Sequence, residues 1–355
     1  MRAVRLHGVG DLRITDDPMP QEIEGYTRVR VGAVGLCGSD LHWFSEGGIG
    51  DVRIEHPSIP GHEQGGVALD GPYAGRVVAI DPALPCRQCA RCLEGNTNLC
   101  PRIAFSGNAG LDGGLCEVMS WPTHAVVPLP DGMTAEDAAM LEPLGVAVHA
   151  WDLGHVKLGD RVAVVGAGPI GLFLVQLAAR SLTAEVVAVE PLEHRRDAAV
   201  RLGADAAFAP GEVAVADFDV VFEACGLPDA VAETAVLARP GGRLVIAGIP
   251  EEDEYAFPAS AVRRKGLTIA VVRRMKDVYP RAIALVERGQ VDVRAVVSHR
   301  FDLADSTEAF TFAAGRGGLK VLITSGDAAA HPDPSRGVRV GGGDHGPRAH
   351  PVRVG

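Results

Sequence analysis

No stretch of this 355-residue sequence is apolar for long enough to cross a bilayer, and its opening residues, MRAVRLHGVGDLRI, contain no apolar signal core. A membrane-spanning or exported protein is therefore not expected, and the cytoplasm is the default compartment. Basic residues are in deficit: 34 Lys and Arg against 45 Asp and Glu leave a formal charge of -11. There is no basic stripe, and aromatics make up only 5% of the chain and do not interleave with basic residues, so no nucleic-acid partner is expected. Cysteine is scarce too, seven in all, and four of these fall between residues 86 and 100. In a chain of cytosolic character such crowding argues for a bound metal over disulfides. Apolar residues are plentiful, at 47% of the chain, enough for a sizeable core and for two domains.

The most informative stretch runs from Arg161 to Glu190. An apolar run, Val162 to Val165, breaks at Gly166-Ala167-Gly168-Pro169-Ile170-Gly171 and gives way to a helix-forming segment that ends near Ala179. A second β-branched run, Val186 to Val189, stops at Glu190. This spacing predicts a dinucleotide-binding βαβ unit: Gly166 for the turn, Gly168 for close backbone approach to a pyrophosphate, Gly171 for helix–strand packing. The helix start offers free N–H groups to the phosphates. Glu190 is placed to accept from ribose hydroxyls and to repel a 2′-phosphate, which favours NAD over NADP, while the nearby Arg195 and Arg196 weaken that preference.

Upstream, residues 1 to about 35 alternate apolar and polar positions, as short strands of a β-rich domain do. That pattern runs into Cys37-Gly38-Ser39-Asp40-Leu41-His42, and a second polar cluster, Gly61-His62-Glu63, follows between turn residues. One thiolate, one imidazole and one carboxylate from two separated turns suit a catalytic zinc, which needs few protein ligands and an open position. Taken singly, Cys37 reads as a small buried apolar residue and His62 as an ordinary histidine. Cys86, Cys89, Cys92 and Cys100 are more specific, because four thiolates close a tetrahedral site and make its metal structural. An iron–sulfur cluster and redox cysteines are the competing readings; the usual Cys-Pro-terminated cluster spacing is missing, although Pro101 follows Cys100. Cys116 and Cys225 have no ligand-spaced partner.

Together, GLCGSDLHWFSEGGIGD, GHEQGG, the four-cysteine lobe, LEPLGVAVHA, GAGPIG and RPGGRLVIAGIP resemble the zinc-dependent medium-chain alcohol dehydrogenases. Within that group the sequence is most similar to the sorbitol (L-iditol) and xylitol dehydrogenases, from Met1 to about Thr324. The resemblance implies an α/β protein: a GroES-like, β-rich catalytic domain over residues 1–147 and 283–324, and a Rossmann domain with a doubly wound parallel sheet over 148–282. It further implies two Zn2+ per chain, NAD as cofactor, and a homotetramer or dimer. Position by position, it implies Cys37, His62 and Glu63 as ligands of the catalytic zinc, and Cys86, Cys89, Cys92 and Cys100 as ligands of the structural one. Glu142 approaches the metal or holds its water, Asp40 fixes the His62 imidazole, and Ser39 and His42 pass the substrate's proton to solvent. The chemistry agrees: zinc lowers the pKa of an alcohol, Ser39 and His42 take the proton near neutral pH, and hydride leaves for the nicotinamide. Trp43, Phe44 and Phe105 are expected as pocket walls. Between Gly66 and Asp81 the chain is shorter than its relatives, which reads as a trimmed surface loop.

After Glu190, βα alternation continues through Phe218–Phe222 and RLVIAG, as a parallel sheet requires. Sorbitol-type relatives usually show Phe-Arg-Tyr where this chain has Val272-Arg273-Arg274. Arg273 therefore keeps a substrate-hydroxyl role, while loss of the tyrosine leaves the polyol open. Two adjacent arginines also suit a sugar-acid carboxylate, or a solvated, oligomer-facing patch. Residues 325–355, rich in Gly, Pro, Arg and His, are expected to be disordered. The expected activity is reversible, NAD-dependent oxidation of a polyol's secondary alcohol to the ketose. L-Idonate 5-dehydrogenase, L-threonine 3-dehydrogenase and cyclitol dehydrogenase chemistry are the enzymatic alternatives, the second usually carrying Thr in place of Ser39. An inactive NAD- and zinc-binding redox sensor is the non-enzymatic alternative, and the complete set of ligands and relay groups argues against it.

Overall fold

Strand alternation divides the apolar residues of the 160–271 region between two cores. The computed structural model describes residues 1–325 except 109, 215 and 252; the expected disorder of the tail falls almost wholly outside these described residues. Six parallel strands lie in the order Ala206–Phe208, Glu185–Val189, Arg161–Val165, Phe218–Glu223, Ala238–Ile246, Thr268–Val271. Val162, Val164, Val186, Ala188, Val220 and Phe222 enter one core, and Ala163, Val165, Val187, Val189 and Val221 the other. Burial on both faces is why these strands read as continuous apolar runs rather than alternating ones. The order reverses between Arg161–Val165 and Phe218–Glu223, so the ligand crevice is expected at the carboxyl ends of those two strands.

The second sheet has seven strands, in the order Val126–Pro128, Val77–Ile80, Glu63–Ala68, Tyr26–Gly35, Lys320–Thr324, Val297–Asp302, with Val118–Pro122 also paired to Tyr26–Gly35. Its pairings are antiparallel except between Val297–Asp302 and Lys320–Thr324, so residues after 290 return to the sheet begun by residues 26–35. The shortened segment after Gly66 makes only a brief turn, Gly71–Tyr73, before Val77–Ile80 pairs back with Glu63–Ala68. The zinc-ligand candidates His62 and Glu63 are unaffected, because they sit at the other end of that strand.

The helix Ala135–Gly154 links the two sheets. Its start is a reciprocal cap: Thr134 Oγ1 accepts from the Asp137 amide (3.2 Å), and Asp137 accepts from the Thr134 amide (2.8 Å). The expected domain junction at 147 lies within this 20-residue helix, which carries Pro143 in its interior, so the passage between sheets is helical rather than a loop. Met140, Leu141, Leu144, Ala147 and Val148 share one buried core with Val162, Leu172 and Phe222 of the parallel unit. Two glycines let its neighbours close in. A Cβ on Gly65 would strike Ala138 and the Ala135 carbonyl, and one on Gly145 would lie 2.6 Å from Met275 Sδ. The helix is thereby pressed against the Glu63–Ala68 strand, which brings Glu142 towards the candidate metal ligands.

Candidate metal centre and cofactor cleft

Cys37 immediately precedes the helix Gly38–Glu46, and His62–Glu63 open the strand Glu63–Ala68. Their ligand atoms, one sulfur, one imidazole nitrogen and one carboxylate oxygen, lie within 4.8 Å of one another. His62 and Glu63 are buried, and Cys37 is half-buried. This mixed set suits zinc and leaves a coordination position free of protein. Asp40, fully buried, holds the two turns together: its carboxylate accepts from the Cys37 amide (3.0 Å) and the Gly61 amide (3.2 Å) and lies 3.5 Å from His62 Nδ1. Burial pushes the Asp40 carboxyl up, but His62, the Cys37 amide and Lys320 together outweigh it and the net shift is downward. Gly61, at φ 94°, makes the turn that presents His62.

Glu63, 1% exposed, forms an ion pair with Lys320, itself 2% exposed, whose ammonium also donates to the Leu36 carbonyl (2.8 Å). Glu63 Oε2 makes no well-formed hydrogen bond, so this buried carboxylate retains capacity for a cation. Gly35 makes room for the pair, since a side chain there would collide with both partners. Burial pushes the Lys320 ammonium down, and the negative groups around it, Glu63 first and then Cys37 and Asp40, together more than compensate, leaving it raised. Lys320 escaped the sequence reading; a lone lysine opening the apolar strand LKVLIT was the available signal. Glu142, also buried, is pushed up to about 7, first by burial, with His62 pulling it down and Glu63 raising it further. Ser39 Oγ lies 3.5 Å from His62 Nε2, and His42 Nδ1 is 2.7 Å from Glu46 Oε1 towards the surface.

The four thiols of Cys86, Cys89, Cys92 and Cys100 likewise converge within 4.8 Å. The Gln88 backbone amide is the largest influence pulling Cys86 down, to about 6, and Arg102 donates to its sulfur (3.3 Å). Cys92 is pushed up to about 12, by burial and then by its neighbouring thiols. One thiolate forms readily here and the next is opposed, so full ionisation needs a cation in the middle, as a closed four-sulfur zinc site supplies.

In the glycine loop, Gly166 adopts φ 94°, and a Cβ on Gly171 would collide with the Gly166 carbonyl. A Cβ on Gly168 would meet nothing within 4 Å; the space beside it is open, as backbone approach by a pyrophosphate requires. Pro169 and Ile170 begin the helix Pro169–Arg180, whose first N–H groups have no intrahelical acceptor. Glu190 ends its strand as expected, but its carboxylate is already engaged: one oxygen accepts from Ala167 (2.8 Å), the other from Leu192 (3.1 Å). The residue thus braces the glycine loop from a buried position.

Four expected contact residues are placed differently. Arg195 donates to the Gly318 carbonyl (2.9 Å), a tie to the turn before Lys320–Thr324, which takes up its guanidinium. Phe44 packs on Phe310 with ring centroids 5.3 Å apart, so it belongs to the core beside the helix Ser306–Ala314, and Trp43 is buried with an unpartnered indole nitrogen. Arg273 is exposed, its backbone carbonyl held by Asn98 (2.9 Å), because a left-handed backbone at Arg274 (φ 55°) delivers the next guanidinium to the cleft instead. Arg274 Cζ stands 3.7 Å over the Phe105 ring, and Phe105 in turn packs on His62, with centroids 5.3 Å apart. Phe105 and Arg274 line one cavity of about 290 Å³ with Ile103, Asn108 and Leu111. Outside the site, Cys116 is buried, its thiol pushed up to about 12 by burial, and Cys225 is exposed beside the turn at Gly166.

Two family profiles match the chain: "Alcohol dehydrogenase GroES-like domain" over residues 24–131 and "Zinc-binding dehydrogenase" over residues 169–288. The chain is 33% identical to a probable D-xylulose reductase A of Neosartorya fischeri over 340 residues, covering 90% of this chain and 95% of the relative. It is equally similar, 33% over 340 residues with the same coverage, to a sorbitol dehydrogenase of Gallus gallus. Among solved structures it superposes on L-idonate 5-dehydrogenase of Escherichia coli K-12 with a TM-score of 0.85 at 27% identity, covering 91% of this chain and 97% of that one.

Proposed function

The chain belongs to the zinc-binding alcohol dehydrogenase family, and from that premise we propose that it oxidises a secondary hydroxyl of a polyol to the ketose, with NAD as hydride acceptor. The observation that carries this reading is the convergence of Cys37, His62 and Glu63, with one position left open, in a chain whose glycine loop stands open at Gly168. When bound, zinc supplies a Lewis acid that makes a hydroxyl more acidic, and NAD supplies an acceptor for hydride.

The protein's own groups hold and move the proton. Cys37, His62 and Glu63 hold the catalytic cation, and Asp40 fixes the His62 ring by its 3.5 Å contact at Nδ1. Ser39 receives the substrate's proton and passes it to His42, which stands half-buried and hands it to Glu46 and water. Glu142, buried on the helix pressed against the Glu63–Ala68 strand, approaches the metal or holds its water. Cys86, Cys89, Cys92 and Cys100 hold the structural cation and stiffen the lobe that precedes Phe105. Gly166, Gly168, Pro169, Ile170, Gly171 and Glu190 seat the dinucleotide. The same family resemblance supports a cytoplasmic homo-oligomer, tetramer or dimer; the sheet ends at Thr268–Val271, an edge strand whose Val271 is 56% exposed.

The test is NADH formation from NAD by the purified protein on sorbitol, xylitol and L-iditol, with and without a zinc chelator. Chelator-sensitive turnover is expected. Turnover that survives complete removal of metal contradicts the zinc mechanism, and no turnover on any secondary alcohol contradicts the enzyme reading.

A further inference from the structure

Among the described residues that line the cavity beside Phe105, Arg274 is the charged one, and its charge has no use in the reading above. It is half-buried, its Nη1 is inaccessible to solvent and has no hydrogen-bond partner, and no ion pair includes it among the described residues. The neighbouring charges do not neutralise it: Arg273 adjoins it in sequence, and Glu142, the carboxylate nearest in influence, makes no hydrogen bond with it. Its backbone is held in the left-handed region, φ 55°, which is unfavourable for a side-chain-bearing residue and is kept only where the surroundings enforce it. That conformation lays the guanidinium 3.7 Å over the Phe105 ring, whose own packing partner is the His62 imidazole. The guanidinium therefore stands one aromatic ring away from the metal centre, in the same 290 Å³ cavity as Asn108 and Leu111. A planar, stacked guanidinium with a buried unpaired N–H is preorganised for an oxyanion and poorly matched to neutral hydroxyls, which leave its charge uncompensated.

We propose that the substrate of this dehydrogenase is a secondary alcohol carrying an anionic group, a carboxylate or a phosphate, and that Arg274 binds that group while the hydroxyl faces Cys37, His62 and Glu63. The inference rests on the dehydrogenase reading and adds that the polyol carries an anionic group, as sugar acids and sugar-alcohol phosphates do. Phe105 fixes the guanidinium plane, and the charge holds the carbon chain in one direction along the cavity.

The experiment compares full-length wild type with Arg274→Met and Arg274→Lys, each loaded with zinc, on sets matched in chain length: neutral alditols, aldonates and alditol phosphates. Wild type is expected to prefer one anionic set, which decides between carboxylate and phosphate. In Arg274→Met the ratio of anionic to neutral kcat/KM should fall by about tenfold to a hundredfold, the worth of one charge-assisted hydrogen bond, chiefly through KM. Arg274→Lys should keep part of the ratio. A second readout needs no turnover: the Tm of the NADH complex should rise with aldonate or alditol phosphate more than with alditol in wild type, and equally little with all three in Arg274→Met. A neutral-substrate preference in wild type, or the same ratio and Tm response in both proteins, overturns the role of Arg274 and leaves the dehydrogenase standing. Absence of turnover on every set overturns the dehydrogenase reading, and the Tm response then still decides whether Arg274 binds anions.

Discussion

Replacing Lys320 with methionine should destabilise the protein strongly, and more so without zinc than with it. Methionine preserves the length of the stem, so the change removes the ammonium and little packing. What remains is the Glu63 carboxylate, 1% exposed, with no cation beside it, and the Leu36 carbonyl without its 2.8 Å donor. Breaking a buried pair in this way costs about 3–5 kcal/mol, because the surviving charge is left desolvated. At about 2–4 °C per kcal/mol for a unit of this size, the Tm should fall by roughly 6–20 °C. Zinc at Cys37, His62 and Glu63 would neutralise that same carboxylate. The loss should therefore be near the top of the range after chelation and clearly smaller in the zinc-loaded protein. Calorimetric melting of wild type and Lys320→Met, each in both metal states, gives the four Tm values needed. An unchanged Tm in the chelated mutant would refute the buried pair, and an equal loss in both metal states would refute the placing of zinc against Glu63.

Other changes follow from the same physical reasoning. Cys89→Ser should leave the catalytic cation in place, remove one zinc per chain and lower the Tm; a mutant with full zinc content and wild-type stability would contradict a structural four-sulfur site. Glu190→Ala should weaken NAD and relax discrimination against NADP, and it should also lower stability, since the Ala167 and Leu192 amides lose their acceptor; an unchanged NAD-to-NADP ratio would assign selection elsewhere. Asp81 is raised from its ordinary 3.8 to about 6, first by burial. The folded protein thus holds this proton more tightly than the unfolded chain, and the associated stability, complete below about pH 4, is lost as the pH climbs through about 6. Asp81→Asn, whose side-chain oxygen still accepts from the Ala83 amide, should flatten that part of the pH profile in chemical denaturation; an unaltered slope would contradict the burial of a charged Asp81.

The parts of this protein that were legible in its sequence are those where a short segment carries its own geometry. Gly166 and Gly171 were readable because one needs a positive φ and the other a helix pressed on a strand, both local demands. The four-cysteine spacing was readable because one short segment brings all four thiols together. The parts that were not legible depend on partners distant in the chain or on one dihedral angle. Lys320 meets Glu63 only because Lys320–Thr324 inserts beside Tyr26–Gly35. Arg195 reaches the Gly318 carbonyl across 123 positions of sequence, so nothing near position 195 announced it. Resemblance points to Arg273 as the substrate contact, yet that side chain is exposed, and the left-handed backbone at Arg274 sets the neighbouring guanidinium over Phe105. Phe44 sits next to the metal cluster in sequence, yet a nine-residue helix separates its two faces and turns that ring to Phe310.

The most direct test of the central claim, that Cys37, His62 and Glu63 form a catalytic zinc site distinct from the four-cysteine lobe, is zinc content and NADH formation measured together for wild type and Cys37→Ser. Two zinc ions per wild-type chain are expected, against one in the mutant, with NADH binding retained and turnover lost. Wild-type turnover in a mutant holding a single zinc, or a wild type that is fully active with one, would contradict it.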